Sequence, residues 1–378
     1  MNDKVLIVHN ILWSHYTGNT FKHLYEMYYK GRKEDFKVVH FAKNMANRKA
    51  IGDTTKNIHI YPHEVLFDGN IEDFKLIDSI KMLFSKMKTF KPNVVVIFGL
   101  ENPSYWFLMI LTRLQGRKLI LVANSTIYDH KRVFLKEQFK RLLMKIPHGF
   151  MCYGNVHKAY LKTLGVASKK VSIRCQSTDN EKILRMAKNY SLTDGESSIK
   201  KIGPFLLFVG RLIEEKNLEK LLKAYAESQT DMSLVIIGDG ILKNKLLTIC
   251  SELKISNKVY FQGPKMLEEI IPYYCEATAF ILPSVSETWG LVVNEAMLCG
   301  LPILVSKHCG CSEDLVVNGY NGYKFDPNNI EELVSLIDTK VDDFEELSTM
   351  GERSSEMINK YNPETAAKQF YESIQSVC

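Results

Sequence analysis

Two cations in the second half of the chain have the residue types and spacing needed to bind a phosphate group. Gly210 and Arg211 directly follow the apolar run 205–209, and Lys216 comes shortly after them. Arginine and lysine neutralise phosphate oxygens, and a glycine allows close approach of the backbone to a ligand. We therefore predict a diphosphate contact here. The alternative is that both cations are solvated charges near a helix start, beside two glutamates.

Two carboxylates follow further along the chain. Glu287 and Glu295 flank Gly290, which is predicted to open a helix after a short strand. The free N–H groups of a helix start bind phosphate or sugar oxygens, and carboxylates accept hydrogen bonds from ligands rich in hydroxyl groups. The segment is therefore a candidate site for a hexose and a ribose. The alternative for Glu295 is a solvent-facing helix position, which the apolar residues 296–298 make less favoured.

The elements that must position these residues form a repeated α/β pattern. Continuous apolar strands separated by helices are typical of parallel sheets covered on both faces. Two such sets in series predict two Rossmann-like, doubly wound domains. The predicted strands are Val5–His9, Val38–Phe41, Val94–Phe98, Leu119–Ala123 and Gly149–Tyr153, then Phe205–Val209, Leu234–Ile237, Val259–Phe261, Ala279–Leu282 and Ile303–Val305. The predicted helices of the second set are 218–229, 241–253, 267–276, 292–299 and 330–338.

A polar stretch with serine and glycine, residues 186–203, has the composition of a linker between these domains. We predict an N-terminal domain over 1–185 and a C-terminal domain over 200–360. Asn362 and Pro363 predict the start of a last helix. This helix, within 361–378, is expected to pack back on the first domain.

These motifs together resemble one family. The Glu287–Glu295 spacing (Glu-x7-Glu), Gly-Arg-Leu-x3-Lys from Gly210, and Gly319-Tyr320-Asn321-Gly322 closely resemble the retaining glycosyltransferases of family 4, within about 204–327. The resemblance implies the GT-B fold, with two Rossmann-like domains facing a central cleft. It implies that the first is the acceptor-side domain and that the second is the nucleotide-sugar donor domain. It implies transfer of a hexose-type sugar from a nucleotide diphosphate sugar, UDP favoured, to an acceptor hydroxyl, with retention of configuration. Bacterial surface polysaccharide or glycolipid assembly is the expected pathway.

The resemblance also implies roles for individual residues. Arg211 and Lys216 would hold the donor diphosphate, and Glu287 would hold the transferred sugar; these three form the expected catalytic group. Asn124 and Ser125 stand where many members have a cleft histidine, and they are the candidate sugar or acceptor contacts. The other implied donor contacts include Gly18 and Asn19, which are expected in a loop after the first strand. The rest are Gly210, Lys265, Gly290, Leu291, Val292 and Glu295, with Glu295 at the ribose.

No metal or other cofactor is expected. Asp-x-Asp does not occur in the sequence, and Cys309-Gly310-Cys311 has no second cysteine pair to complete a zinc site. The Gly238-Asp239-Gly240 turn lacks the third glycine of a dinucleotide fingerprint. Four alternatives stay open: a GDP-mannose-dependent mannosyltransferase, a nucleotide-sugar epimerase of the same fold, a phosphorylase, and a non-catalytic carbohydrate- or nucleic-acid-binding protein.

The charge of the chain is unevenly distributed. Residues 1–180 hold 29 lysines and arginines against 14 acidic residues, whereas residues 181–378 hold 20 against 29. Within the basic half, Lys131–Ile146 predicts an amphipathic helix with one cationic face, which is a candidate contact with an anionic membrane surface. The alternative is an ordinary domain helix with a solvated polar face. The expected partners are the nucleotide-sugar donor, a sugar or lipid-linked acceptor and this membrane, but no nucleic acid.

The expected location is the cytoplasm, or peripherally the inner face of the plasma membrane. The chain has no apolar stretch long enough for a membrane span, and its N-terminus lacks the features of a signal peptide. Its eight cysteines show no Cys-x-x-Cys pair and are expected to be reduced, mostly buried thiols.

Overall fold

A computed structural model describes residues 3–12, 14–44, 58–129, 132–192, 199–340 and 343–378. Its residue contacts divide the chain into two compact units. Unit 1 comprises Met1–Ser125, Lys131–Ser177 and Pro363–Cys378, and unit 2 comprises Thr126–His130 and Thr178–Asn362. Among the helices of the described residues, none is long and apolar enough to cross a bilayer.

Unit 1 is built on a parallel sheet of seven strands in the order β3-β2-β1-β4-β5-β6-β7. The strands are β1 Val5–Ile11, β2 Phe36–Asn44, β3 His63–Asn70, β4 Val94–Phe98, β5 Lys118–Val122, β6 Gly149–Cys152 and β7 Val171–Ile173. The helices are α1 His15–Tyr28, α2 Leu76–Phe90, α3 Pro103–Leu114, α4 Phe134–Leu143 and α5 Asn155–Thr163.

The central strands of this sheet are buried on both faces. In β1, Leu6 and Val8 belong to one apolar core, and Val5 and Ile7 belong to the core on the other face. Strands covered on both sides read as continuous apolar runs, which explains why the sequence pattern locates them well.

Unit 2 is built on a parallel sheet of six strands in the order β10-β9-β8-β11-β12-β13. The strands are β8 Phe205–Val209, β9 Ser233–Ile237, β10 Val259–Gly263, β11 Ala279–Leu282, β12 Ile303–Ser306 and β13 Gly322–Phe325. The helices are α6 Asn180–Leu192, α7 Leu218–Glu227, α8 Lys243–Glu252, α9 Leu267–Glu276, α10 Leu291–Leu298, α11 Ser312–Leu315, α12 Ile330–Lys340 and α13 Phe344–Ile358. This strand order is that of the Rossmann fold, as is the order of the first six strands of unit 1.

The boundary between the units differs from the linker that composition suggests. Residues 186–192 are helical, because they complete α6, which packs on α9 and α10 of unit 2. The first unit therefore ends at Ser177, ahead of α6. The last helix, α14 (Pro363–Gln375), lies in unit 1, where Phe370 packs against Phe21 with ring centroids 6.0 Å apart.

Candidate active site

The predicted phosphate-binding and sugar-binding segments meet at the switch point of the unit 2 sheet. β8 and β11 are neighbours in the sheet although they are not consecutive in the chain. Gly210 and Arg211 follow the carboxyl end of β8, and the segment from Pro283 to Glu287 follows the carboxyl end of β11. Ligands of open α/β sheets bind at this point, where the connections leave in opposite directions.

The turn after β9 supports the backbone of the Gly210–Leu212 segment. Gly238 has a φ of +140°, and a Cβ atom on it would lie 1.8 Å from the carbonyl oxygen of Gly210. A Cβ on Gly240 would lie 2.4 Å from the carbonyl oxygen of Leu212. These glycines are therefore explained by close backbone packing, and they need no dinucleotide.

Lys216 and Glu287 form an ion pair across the two strand ends, and both side chains are largely buried. The backbone fixes the same arrangement, because Val285 N–H donates to the Glu215 carbonyl at 2.9 Å. Arg211 is exposed. The sequence prediction placed Lys216 and Glu287 at separate subsites, whereas the structure brings their charged groups together.

Gly290 allows the chain to turn from the Glu287 loop into α10. Its φ of +100° is a left-handed conformation, and a Cβ there would lie 3.1 Å from Leu282 and 3.4 Å from the sulfur of Cys311. Leu291 and Val292 are the first two residues of the helix. Burial raises the pKa of Cys311, which stays a neutral thiol packed below this turn.

Glu295 is buried within α10, with 5% of its surface exposed, and it accepts a hydrogen bond from the Tyr274 hydroxyl at 3.0 Å. This position is incompatible with the solvent-facing alternative. Lys265 follows β10 and lies over the Tyr273 ring, with its Nζ 5.5 Å from the centroid. Tyr274 is absent from the sequence prediction, because its helix shows only ordinary amphipathic spacing.

Two further residues next to the Glu287 loop are also absent from the sequence prediction. The His308 ring hydrogen-bonds the Val285 carbonyl at 3.2 Å and stacks on Tyr128 with centroids 3.9 Å apart. Burial lowers the pKa of His308, so that this ring is neutral at neutral pH. Asn217 adopts a left-handed conformation and donates its amide to the Pro283 and Pro327 carbonyls. A Lys-Asn-Leu sequence before a helix is the one feature that could have indicated this turn.

Comparison with known proteins identifies the family of this part of the chain. Residues 192–357, which include every predicted site residue of unit 2, match the family model described as glycosyl transferases group 1. This segment belongs to that family.

Curated relatives match the chain over part of their length. An Arabidopsis thaliana sulfoquinovosyl transferase, SQD2, is 32% identical over 42% of this chain and 31% of its own. A Campylobacter jejuni N-acetylgalactosamine-N,N'-diacetylbacillosaminyl-diphospho-undecaprenol 4-alpha-N-acetylgalactosaminyltransferase is 27% identical over 65% of this chain and 66% of its own. The chain thus spans less than two thirds of both relatives.

The solved structures establish the fold over nearly the whole chain. The Anabaena protein Alr3699/HepE, solved in complex with UDP, superposes with a TM-score of 0.76 at 17% identity, covering 99% of this chain and 100% of the other. The prediction of a GT-B fold is confirmed.

In unit 1, two predicted donor contacts have a different local structure from the one expected. Gly18 and Asn19 were expected in a loop after β1, but they lie in the first turns of α1, where Gly18 N–H donates to the Ser14 carbonyl at 2.8 Å. A Cβ on Gly18 would lie 2.9 Å from Ile58 and 3.1 Å from His59. Close packing therefore accounts for this glycine.

Asn124 and Ser125 follow β5 in unit 1. The Asn124 amide donates to the Tyr153 hydroxyl at 2.9 Å, and the guanidinium of the wholly buried Arg174 lies 4.9 Å from the Tyr153 ring centroid. Asn124 is thus held in one orientation by the strand ends beside it. No comparable hydrogen bond places Ser125 among the described residues.

Strands β1 and β2 carry a pair of buried histidines that sequence patterns did not single out. The Nδ1 atoms of His9 and His40 are 3.3 Å apart, and His40 Nε2 lies 3.3 Å from the Tyr61 hydroxyl. Burial lowers the pKa of His9 to about 3, and that of His40 well below its usual range. Both rings are therefore neutral in the folded protein.

Acidification is expected to destabilise unit 1 through these histidines. The unfolded chain binds protons at the ordinary histidine pKa, while folded His9 does not until about pH 3, so stability falls as pH drops below about 6.5. Between pH 7.5 and 5.5, His9 alone should contribute a loss of about 1.4 kcal/mol. Urea unfolding at both pH values should show a smaller loss in His9→Gln. The control is His63→Gln, which changes an exposed histidine. An equal loss of stability in His9→Gln and wild type would contradict the assignment of this effect to His9.

Proposed function

We propose that this protein is a retaining, metal-independent glycosyltransferase that moves a hexose-type sugar from a nucleotide diphosphate sugar, UDP favoured, to an acceptor hydroxyl. The observation that carries the proposal is the Lys216–Glu287 ion pair at the switch point of unit 2, next to the start of α10. The pair places a cation suited to a diphosphate directly beside a carboxylate suited to sugar hydroxyls. The family match of residues 192–357 and the UDP complex of a protein with the same fold support it.

The proposed chemistry uses the chain's own charges. Arg211 and Lys216 neutralise the leaving diphosphate, together with N–H groups at the start of α10 in Leu291 and Val292. Donor binding draws Lys216 towards phosphate, and Glu287 is then available to the hydroxyls of the transferred sugar. The departing phosphate oxygen takes the proton of the acceptor hydroxyl on the same face of the sugar, so the configuration is retained.

The remaining donor contacts are proposed from the positions of their residues in the two units. The buried Glu295 binds the ribose, and the backbone at Lys265 meets the base. Gly18 and Asn19 are retained as proposed phosphate contacts of unit 1, through the first turns of α1 rather than a loop. Asn124 and Ser125 are the proposed sugar or acceptor contacts.

The acceptor is proposed to be a lipid-linked or surface glycan assembled at the cytoplasmic face of a membrane. The name of the Campylobacter jejuni relative describes an undecaprenol-linked acceptor for that protein. The basic first half of this chain is suited to an anionic acceptor or lipid.

Nucleotide binding tests the proposal. UDP at 100 times its Kd is expected to stabilise the folded protein by about 2.7 kcal/mol, and therefore to raise the Tm. The rise should shrink in Arg211→Ala and in Glu295→Ala. GDP and ADP, measured in parallel, report the base preference and test the GDP-mannose alternative.

Product analysis separates transfer from its alternatives. With donor and acceptor present, mass spectrometry should find a glycosylated product whose formation persists in EDTA. UDP release that does not depend on an acceptor would favour an epimerase instead. If no nucleotide raises the Tm, the proposed function is wrong.

A further inference from the structure

Helix α4 exposes most of its apolar side chains to solvent, and Leu143 is its one buried residue. Phe134 and Leu135 are 74% and 76% exposed, and Phe139 and Leu142 are exposed as well. An ordinary amphipathic helix buries such a stripe against its own domain. The alternative of an ordinary domain helix with a solvated polar face is therefore wrong for α4, whose bounds, Phe134–Leu143, are shorter than the predicted Lys131–Ile146.

Part of the charged face of α4 points inward instead. Glu137 accepts hydrogen bonds from Arg132 at 3.3 Å, from Lys140 at 3.2 Å and from the Tyr160 hydroxyl at 2.9 Å. Arg132 also lies over the Tyr160 ring, 4.2 Å from its centroid. This network holds α4 against α5, and it fixes the orientation that leaves the apolar stripe outside.

Helix α3 extends the same apolar surface. Trp106 of α3 contacts Phe139 of α4, with ring centroids 4.9 Å apart. Phe107, Ile110 and Leu114 of α3 are all exposed, Leu114 by 80%. We call these exposed residues of α3 and α4 the apolar face; they are Phe107, Ile110, Leu114, Phe134, Leu135, Phe139 and Leu142. Large exposed apolar surfaces are unusual on soluble proteins, and they mark contact with a partner or a membrane.

The charge around the apolar face selects between these partners. Residues 102–146 hold nine lysines and arginines against two acidic residues, of which Glu137 is engaged in the network below α4. Lys136, Arg141 and Lys145 are exposed on or just after α4, and Arg113 is exposed on α3. Apolar side chains among cations of one sign match the acyl and headgroup regions of an anionic bilayer. A second copy of the chain would instead bring these cations together.

We propose that the apolar face inserts into the interface of an anionic lipid bilayer, with its cations at the headgroups. Insertion of large apolar side chains removes them from water, and each cation adds attraction that decays within a Debye length. The inference deepens the proposed function and rests on it, because a lipid-borne acceptor is what would require the enzyme to lie at a membrane. Membrane binding itself requires no sugar donor.

Vesicle co-sedimentation of the full chain tests this inference. We expect binding to phosphatidylcholine vesicles that contain one quarter phosphatidylglycerol, and weaker binding to pure phosphatidylcholine or at high salt. Phe134→Ser with Leu135→Ser should lower the partition coefficient at least about tenfold. Lys136→Gln with Lys145→Gln should lower it about fivefold for each cation and reduce the salt dependence.

The matched control is Leu192→Ser with Phe344→Ser, which removes one exposed leucine and one exposed phenylalanine from unit 2. Its vesicle binding should equal that of wild type. Wild type that stays in the supernatant at low salt, or equal binding by the Phe134/Leu135 variant, would overturn the inference. Light scattering completes the test, since a wild-type dimer that becomes monomeric in that variant would assign the face to a second copy.

Donor binding is measured on the same samples. A UDP-induced rise in Tm with no vesicle binding contradicts only the membrane inference. Vesicle binding with no nucleotide effect contradicts only the proposed function. The two failures are thus distinguishable.

Discussion

Alanine at Lys216 is expected to lower kcat/KM for sugar transfer by about 10²- to 10³-fold. The substitution removes the cation at the carboxyl end of β8, and it leaves the largely buried Glu287 carboxylate without its ion-pair partner. Steady-state kinetics with a UDP-sugar donor and UDP titration measure the effect. Both kcat/KM and UDP affinity should fall, because Lys216 is proposed to contact the diphosphate that UDP retains.

The variant Glu287→Gln distinguishes the role of Glu287 from that of Lys216. It should lower kcat while leaving UDP affinity within a few-fold of wild type, since UDP carries no sugar for the carboxylate to hold. The matched control is Lys307→Ala, which removes an exposed ion pair with Glu332 at 3.2 Å in the same unit. Exposed pairs contribute little, so its kinetics should be unchanged. A kcat/KM for Lys216→Ala within threefold of wild type would exclude the proposed role.

Alanine at Gly238 is expected to cost more than about 4 kcal/mol of stability and to lower the Tm by about 10 °C. Its Cβ would lie 1.8 Å from the Gly210 carbonyl oxygen, so one of the two backbones must move. Since Gly210 begins the proposed phosphate-binding segment, UDP affinity should fall as well. Thermal unfolding and UDP titration measure both effects.

Gly319→Ala controls for the backbone conformation alone. Gly319 also has a positive φ, of +72°, but a Cβ there would have no neighbour within 4 Å. The expected cost is about 1–2 kcal/mol, the penalty for a left-handed residue with a side chain. Equal losses in the two variants would show that the close contact with Gly210 is unimportant.

Most strands were predictable because they are buried on both faces. β4, β8 and β11 coincide with the apolar runs in the sequence. The strands that the pattern missed are β3, β7 and β13, each at an edge of its sheet. Edge strands are partly exposed and less apolar; β3 has one buried residue in eight, which leaves no apolar run to recognise.

The candidate site was predictable at the level of segments and not of contacts. The sequence pointed to Arg211, Lys216, Glu287 and Glu295 because each lies in the loop or the helix that follows a predicted strand. The sequence could not show that Lys216 pairs with Glu287, since their contact joins residues 71 positions apart. The loop expected at Gly18 was wrong because α1 begins earlier, at His15, and packs below Ile58 and His59.

The sequence by itself determined the two α/β repeats, the family resemblance of the second half and the basic charge of the first. These depend on local composition and spacing, which the chain carries without folding. Only the tertiary structure decided the burial of Glu295 and the outward orientation of α4. Both depend on which face of a helix meets its neighbours, and α4 turns outward because Glu137, Arg132 and Lys140 bind the Tyr160 side of the unit.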